Sequence, residues 1–248
     1  MKTISIINLK GGVGKTITAI NIAHILATTF GKKVLLVDND KQGNATKFLG
    51  LHSYSVPSLS EVILKFRSID ETIRQTAYQG LDLLPANMTL LQANSQLGSK
   101  MSMNSLTVLK NAFGNISSNY DYCIIDNPPD INPSVINALN ASDEIIVPIV
   151  MDQFSFDGFD QLEEQFEDAK QLNSKLTFKG CLVTRFGRGE KEFLTEEVAE
   201  KYKVFNTIIR RTDKVSGSTF ANMPILEYSN RCGAAKDYQK FVREYFNF

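Results

Sequence analysis

Lys10-Gly11-Gly12-Val13-Gly14-Lys15-Thr16 follows directly on the apolar run Ile4-Ser5-Ile6-Ile7-Asn8-Leu9, and this junction restricts the fold more than any other stretch of the chain. A strand that ends in a glycine-rich turn and reopens as a helix has the composition of a phosphate-cradling loop. Small residues let successive backbone N–H groups turn toward one point, and the helix opening at Thr16 adds its positive dipole end. Gly11, Gly12, Val13, Gly14, Lys15, Thr16 and the adjoining Ile17 are the candidate nucleotide-binding residues. Lys15 supplies a mobile point charge for β/γ-phosphates, and the Thr16 hydroxyl is a natural Mg²⁺ ligand. The strict pattern G-x-x-x-x-G-K-[ST] fails at its first position, where this chain has Leu9, and the three glycines of the loop supply the flexibility instead. Lys10 is a second lysine that the general pattern does not require.

The chain has 248 residues, 43% of them apolar, which suffices for one α/β unit spanning 1–248 with a buried core. Val34-Leu35-Leu36-Val37 and Ile145-Ile146-Val147-Pro148-Ile149-Val150 are strand-length, so neither a transmembrane helix nor a signal peptide is expected. Cys123, Cys181 and Cys232 are an odd, widely spaced set, read as thiols in a reducing cytoplasm rather than a disulfide or metal site. His24 and His52 are isolated and receive no role. Lys+Arg and Asp+Glu balance at 27 each, so bulk charge names no partner. Its distribution is uneven. Asp152, Asp157, Asp160, Glu163, Glu164, Glu167 and Asp168 crowd residues 152–168 without a base, a run most simply read as a solvated helix face. Residues 204–243 are basic.

Apolar strands alternate with helical patterns: 3–9 and a helix from 15; 33–38 and a short helix; 121–126 and 133–141; 144–150 and about 155–173; 178–184 and 190–202; and a last strand near 204–209. This alternation predicts an α/β fold, doubly wound, with a mostly parallel sheet and helices on both faces. Ser58-Leu59-Ser60-Glu61 is a capping box that opens a helix toward Ile69, Leu81–Pro85 adds a short strand, and 86–118 reads as helices with polar breaks.

Val34-Leu35-Leu36-Val37-Asp38-Asn39-Asp40 brings two carboxylates to the end of one strand, and Cys123-Ile124-Ile125-Asp126-Asn127-Pro128-Pro129 brings a third to the end of another. In a parallel sheet these ends share an edge with the glycine-rich loop. Three acids beside a polyphosphate repel it unless Mg²⁺ or water lies between, which is the arrangement of phosphoryl-transfer sites.

Lys10-to-Thr16, Asp38-Asn39-Asp40 followed by Gln42-Gly43-Asn44-Ala45-Thr46, and Tyr120-Asp121-Tyr122-Cys123-Ile124-Ile125-Asp126-Asn127-Pro128-Pro129 resemble the deviant Walker A, Walker A′ and Walker B motifs of the ParA/MinD family. Gln42-to-Thr46 favours the ParA branch, and Val204-to-Arg211, Lys214, Ser216 and Pro224-Ile225 follow the spacing of its C-terminal region, so the resemblance spans nearly the whole chain. The N-terminal helix-turn-helix extension of larger ParA proteins is not expected here. The resemblance implies an ATPase that takes ATP and Mg²⁺. It assigns Lys10 to a partner's phosphates across an ATP-sandwich homodimer, Lys15 to the β/γ-phosphates and Asp40 to the attacking water. Thr16, Asp38 and Asp126 belong to the metal, directly or through water, and Asn127-Pro128-Pro129 forms the γ-phosphate switch. It further implies sequence-independent DNA binding through Arg211 and Lys214, with Arg210 beside them, a ParB-like partner, no membrane, and a cytoplasmic, nucleoid-associated protein. On the base side, Thr184-Arg185 closes a strand that in such folds often ends near the base, and Pro224 lies in the family's adenine-side region.

Three positions depart from the family pattern: Ile17 replaces a usual threonine, Lys41 a usual proline, and Asp130 a small or hydroxyl residue. They bear on hydrolysis rate and dimer strength, since Asp130 adds negative charge near the switch and Ile17 removes a phosphate contact. Two alternatives stand beside the ParA reading. A MinD-like membrane switch would use the Tyr238, Phe241, Val242, Tyr245 stripe, but Asp237 and Glu244 offset the bases around it, which favours core packing. A metabolic ligase of the dethiobiotin synthetase type is disfavoured by Lys10 and Gln42-Gly43-Asn44. An electron carrier would need cysteines flanking the switch, and a tyrosine kinase a denser C-terminal tyrosine cluster.

Overall fold

The computed structural model describes residues 1–99 and 102–248, the side chains of residues 153–158, 160, 161 and 188 excepted. Seven strands form one sheet: β1 (Lys2–Ile6), β2 (Val34–Asp38), β3 (Arg74–Gln75), β4 (Leu81–Leu84), β5 (Tyr122–Asp126), β6 (Glu144–Ile149) and β7 (Thr177–Val183). Their order is β3-β4-β2-β5-β1-β6-β7. All neighbours are parallel except β3, which pairs antiparallel with β4. β1 lies between β5 and β6, so the chain leaves it toward one side of the sheet and later returns to fill the other. Its C-terminal end is the crevice where ligands bind in such folds.

The strands are buried on both faces, as their continuous apolar runs predict. Ile4, Ile6, Val34, Leu36, Ile124, Ile146 and Leu182 share a core with the helix Lys15–Thr28 and with Tyr238, Phe241 and Val242 of the helix Gly233–Phe246. The C-terminal stripe is thus core packing, with Tyr245 at its margin. Helix Lys15–Thr28 is wedged between sheet and C-terminal helix and is buried nearly all round for that reason, Thr18, Asn21 and His24 included. On the other face Leu35, Val37, Cys123 and Ile125 meet Leu59, Leu90, Leu109 and Ala138. Ile145, Val147, Cys181 and Val183 meet Phe159, Leu162 and Phe166 of the helix Gln153–Leu172.

Helix Pro133–Ala141 begins where its sequence dictates: Pro133 occupies the first turn, and the Asn132 carboxamide accepts from Ser134 N at 3.0 Å and Val135 N at 3.1 Å. The Ser58 capping box forms, with Ser58 N donating to Glu61 at 2.8 Å, but the helix ends at Ile63 rather than running toward Ile69. Lys65 turns left-handed at φ 61° and Phe66 N returns to Glu61 O at 2.8 Å, a Schellman closure; a second capping box at Ser68 then opens Ile69–Thr72. Residues 86–118 hold the helices Thr89–Ser99, Met103–Leu106 and Val108–Ile116, and Lys100 and Met101 lie outside the described residues.

Two expected elements differ. Residues 204–209 do not form a strand: the segment meets β7 and the turn after it through isolated bridges at Cys181–Val204 and Phe186–Arg210 and through a hydrogen bond from Ile209 N to Val183 O at 2.8 Å. Between these bridges, Asn206 N and Thr207 N donate to the Glu244 carboxylate at 2.7 and 2.8 Å, which removes them from the ladder. The helix expected over 190–202 starts only at Glu196, where Thr195 caps Val198 N. Among the described residues no helix is long and apolar enough to cross a membrane.

Candidate nucleotide site

The glycine-rich loop takes the conformation its composition allows. Gly12 and Gly14 have φ of 78° and 86°, and Gly14 caps helix Lys15–Thr28 in the left-handed region. Three outside groups hold the loop. Asn8 accepts from Lys10 N at 2.8 Å and donates to Pro148 O at 2.8 Å, tying the stem to β6. The Thr184 hydroxyl donates to Val13 O at 2.7 Å, and Arg185 Nη1 donates to Gly12 O at 3.0 Å. The strand end flagged for the base side therefore braces the loop itself. Thr184 and Arg185 also line a cavity of about 360 Å³ beside Gly14 and Ile17, closed by Ile209, Arg211 and Tyr238. Pro224 does not line it.

Both lysines are engaged. Lys15 is buried and its Nζ donates to Lys10 O at 2.9 Å. Burial lowers its proton affinity, opposed by the carboxylates of Asp126, Asp40 and Asp130. Lys10 Nζ lies 2.5 and 2.6 Å from the two Asp152 oxygens, with the lysine 26% and the aspartate 43% exposed. Asp152 thus leaves the solvated-face reading of the acidic run. Glu163, Glu164, Glu167 and Asp168 are exposed as that reading holds, while the side chains of Asp157 and Asp160 lie outside the described residues.

Parallel register brings the acids together. Asp38 and Asp126 are direct cross-strand partners at the ends of β2 and β5. Asp38 is fully buried; it accepts from Thr46 N at 2.8 Å, the Thr46 hydroxyl at 2.7 Å and Asp40 N at 3.2 Å. Burial nevertheless pushes its carboxyl up to about 6, against those hydrogen bonds. Asp126 is raised well above the carboxylate range, by burial first and by Asp38 second, while the Thr16 hydroxyl and Lys15 favour its ionised form. Neither Asp126 oxygen meets a donor at full hydrogen-bond geometry. Asp40 is half-buried, and its side chain accepts from Gln42 N at 2.9 Å.

The loops carrying these acids touch each other. Asn39 N donates to Asp126 O at 2.9 Å, and Asn39 Nδ2 donates to Asn127 Oδ1 at 2.9 Å. Lys41 and Asp130, two of the departures from the family pattern, face each other at 3.9 Å, so the charge Asp130 adds meets a cation. Ile17, the third departure, lines the cavity as an apolar wall.

Of the basic candidates, Arg210 is held in a bidentate pair: Nε and Nη2 donate to Asp237 at 2.8 and 2.7 Å, and Arg210 N donates to the same carboxylate at 3.0 Å. Arg211 and Lys214 are exposed at the mouth of the cavity and on the first turn of the helix Asp213–Phe220. Asn8, Thr46, Asp152 and the Asn39–Asn127 contact carry no local sequence signature. Asp152 was open to inference, since the end of β6 must lie beside the end of β1.

Residues 1–178 match a family described as AAA domain. Over 249 residues the chain is 35% identical to the sporulation initiation inhibitor protein Soj of Bacillus subtilis, covering 98% of this chain and 97% of that one. Over 254 residues it is 33% identical to the chromosome partitioning protein ParA of Caulobacter vibrioides, covering 98% and 93%. Among solved structures, the ATP complex of the D38A form of Cyanothece McdA superposes with a TM-score of 0.87 at 25% identity, covering 100% of this chain and 97% of that one. With its loop, its paired strand-end carboxylates and its sheet order accounted for, the chain belongs to the ParA/MinD family of P-loop ATPases.

Proposed function

We propose that residues 1–248 act as one ATPase unit of the ParA branch, which dimerises around Mg-ATP, binds DNA without sequence preference, and is reset when a ParB-like partner stimulates hydrolysis. Its setting would be the cytoplasm, on the nucleoid, serving the distribution of a DNA cargo. The observation that carries the reading is the register pairing of Asp38 with Asp126 beside the buried Lys15. Two raised, buried carboxyls are unfavourable in a resting protein and become favourable when a cation and a phosphate chain complete the site.

The residues present fit Mg²⁺. Both Asp126 oxygens are buried with no hydrogen bond of full geometry, and the Thr16 hydroxyl lies next to them as a neutral oxygen ligand. Among the described residues no cluster of three His, Cys, Asp or Glu side chains stands ready to hold a metal by itself, which suits a cation that keeps waters and shares phosphate oxygens. Thr16 would bind it, and Asp126 and Asp38 would hold its water ligands. When bound, it neutralises charge developing on the phosphoryl oxygens. The backbone of Gly11, Gly12, Val13 and Gly14 would cradle the phosphates, Lys15 would turn from Lys10 O to a β/γ-oxygen, and Ile17 would flank the nucleoside. Asp40 would orient the attacking water. Lys10 would exchange Asp152 for the phosphates of the partner's nucleotide. Arg211 and Lys214 would meet DNA phosphates, with Arg210 contributing what its pair with Asp237 leaves available, and affinity would fall steeply with salt.

Lys15→Ala should abolish ATP binding, while Asp40→Ala should keep binding and lose turnover. Normal hydrolysis by Asp40→Ala would sink the water-orienting role. Arg211→Glu with Lys214→Glu should abolish cosedimentation with DNA in the presence of a slowly hydrolysed ATP analogue. The same assay with anionic vesicles separates this reading from a membrane switch, since nucleotide-dependent vesicle binding without DNA binding would reverse it.

A further inference from the structure

Asp40 lies in the chain between two residues that each reach the opposite loop. On one side Asn39 donates through Nδ2 to Asn127 Oδ1 at 2.9 Å, and its backbone N–H donates to Asp126 O at 2.9 Å. On the other side Lys41 faces Asp130 at 3.9 Å. Asn39 and Asn127 are fully buried, whereas Lys41 and Asp130 are part-exposed at 35% and 45%.

The buried rung is anchored. Asn127 Nδ2 donates to the Ser5 hydroxyl at 3.2 Å, and Ser5 meets Ser142 at 2.9 Å, so the carboxamide is tied across β1 to the start of β6. Asn127 Nδ2 also donates to Ile6 O at 3.3 Å, and because a carbonyl can only accept, this contact fixes which way the Asn127 amide points, with its oxygen toward Asn39. The outer rung is anchored as well, because Asp130 also accepts from Asn132 at 3.4 Å, the cap of helix Pro133–Ala141. A buried neutral hydrogen bond between side chains resists displacement because breaking it strands two polar groups in the core. An exposed ion pair at 3.9 Å adds little stability. Its contribution here is positional, since it closes the open end of a loop whose other end is already fixed.

We infer that Asn39–Asn127 and Lys41–Asp130 form a two-rung clasp that sets the position of Asp40 relative to Asp126, making Asn39 and Lys41 positioning residues for ATP hydrolysis. The inference rests on the proposed ATPase reading for its kinetic consequence, though not for the clasp itself. Because Asn39 and Lys41 bracket Asp40, loosening either rung lets the carboxylate drift while the phosphate-cradling loop, held separately by Asn8, Thr184 and Arg185, keeps its grip on nucleotide. Misplacement of a positioned group affects turnover more than binding.

The test is steady-state ATP turnover with Mg²⁺ for Asn39→Leu, Asn127→Leu and their double variant, together with Lys41→Glu and the charge swap Lys41→Glu/Asp130→Lys. Each leucine variant should lower kcat by about tenfold with KM within about twofold, and the double should lose about tenfold rather than a hundredfold, because both break one bond. Lys41→Glu should also lower kcat, and the swap should restore it. Losses that multiply, equal effects on KM, or a swap that fails to rescue would overturn the clasp. If the unmodified protein does not turn over ATP at all, the ATPase reading falls. The clasp is then judged by urea unfolding of the leucine variants, where strict additivity of Asn39→Leu and Asn127→Leu refutes it and non-additivity supports it.

Discussion

Asp38→Asn should stabilise the nucleotide-free protein at alkaline pH and lose that advantage in acid. In the unfolded chain the Asp38 carboxyl titrates at 3.8; in the folded protein burial raises it to about 6. Between those values the folded protein binds the proton more tightly, so stability falls as pH rises through the interval and stays low above it. At about 1.4 kcal/mol for each tenfold change in proton affinity, the penalty is about 3 kcal/mol at pH 8 and about 1 kcal/mol at pH 4.5. Asparagine abolishes it. The amide oxygen can still accept from Thr46, but its NH2 group then confronts Asp40 N–H, a loss of about 1 kcal/mol at every pH. The variant should therefore match the wild type near pH 4.5 and exceed it by about 2 kcal/mol at pH 8. Relief of Asp126, which Asp38 pushes upward, adds to the gain. Urea unfolding at both pH values, without nucleotide or Mg²⁺, measures the difference directly. A stability change independent of pH, or one that grows toward acid, would refute the idea that the site stores unfavourable buried charge.

Gly43→Ala should destabilise by more than about 2 kcal/mol, because φ is 62° and a Cβ there would lie 2.6 Å from Ala86 O; a fall in Tm of under about 2 °C would contradict it. Asp237→Ala should cost about 1–3 kcal/mol in urea unfolding, since three Arg210 donors lose their acceptor; an unchanged midpoint would contradict it. His24 is buried beside Glu227 at 3.2 Å, edge-on to Tyr78, and desolvation lowers its proton affinity below that of the unfolded chain. The unfolded state then gains protons first as pH falls below 6.5, so stability drops toward pH 5, and His24→Gln should flatten that drop in a pH series of thermal melts.

The features legible in the sequence were those whose chemistry is local and whose placement follows from parallel strands. A run such as Val34-Leu35-Leu36-Val37-Asp38 announces both its burial and the acid at its end, and a parallel sheet delivers every such end to one edge, so the meeting of Asp38, Asp126 and the glycine-rich loop needed no knowledge of distant contacts. Illegible features depend on a donor or acceptor supplied from far away. Residues 204–209 have strand composition, and Glu244, some 38 residues on, takes the two amides the ladder would have used. The acidic run is the instructive mixture. Treating 152–168 as one solvated face succeeds for Glu163, Glu164, Glu167 and Asp168, which share a helix, and fails for Asp152, which precedes that helix at the end of β6 and meets Lys10 across the crevice. Position in the sheet outranks membership of a charge run there, because a strand end beside β1 faces the phosphate loop whatever its neighbours carry. The same logic reassigns two departures from the family pattern. Lys41 and Asp130 each look like a disturbance when read alone, yet they sit on adjacent strand-end loops of opposite charge and offset one another. A substitution at the edge of a parallel sheet acts together with the loop beside it, and in this chain Lys41 makes the charge that Asp130 adds near the switch a brace on Asp40.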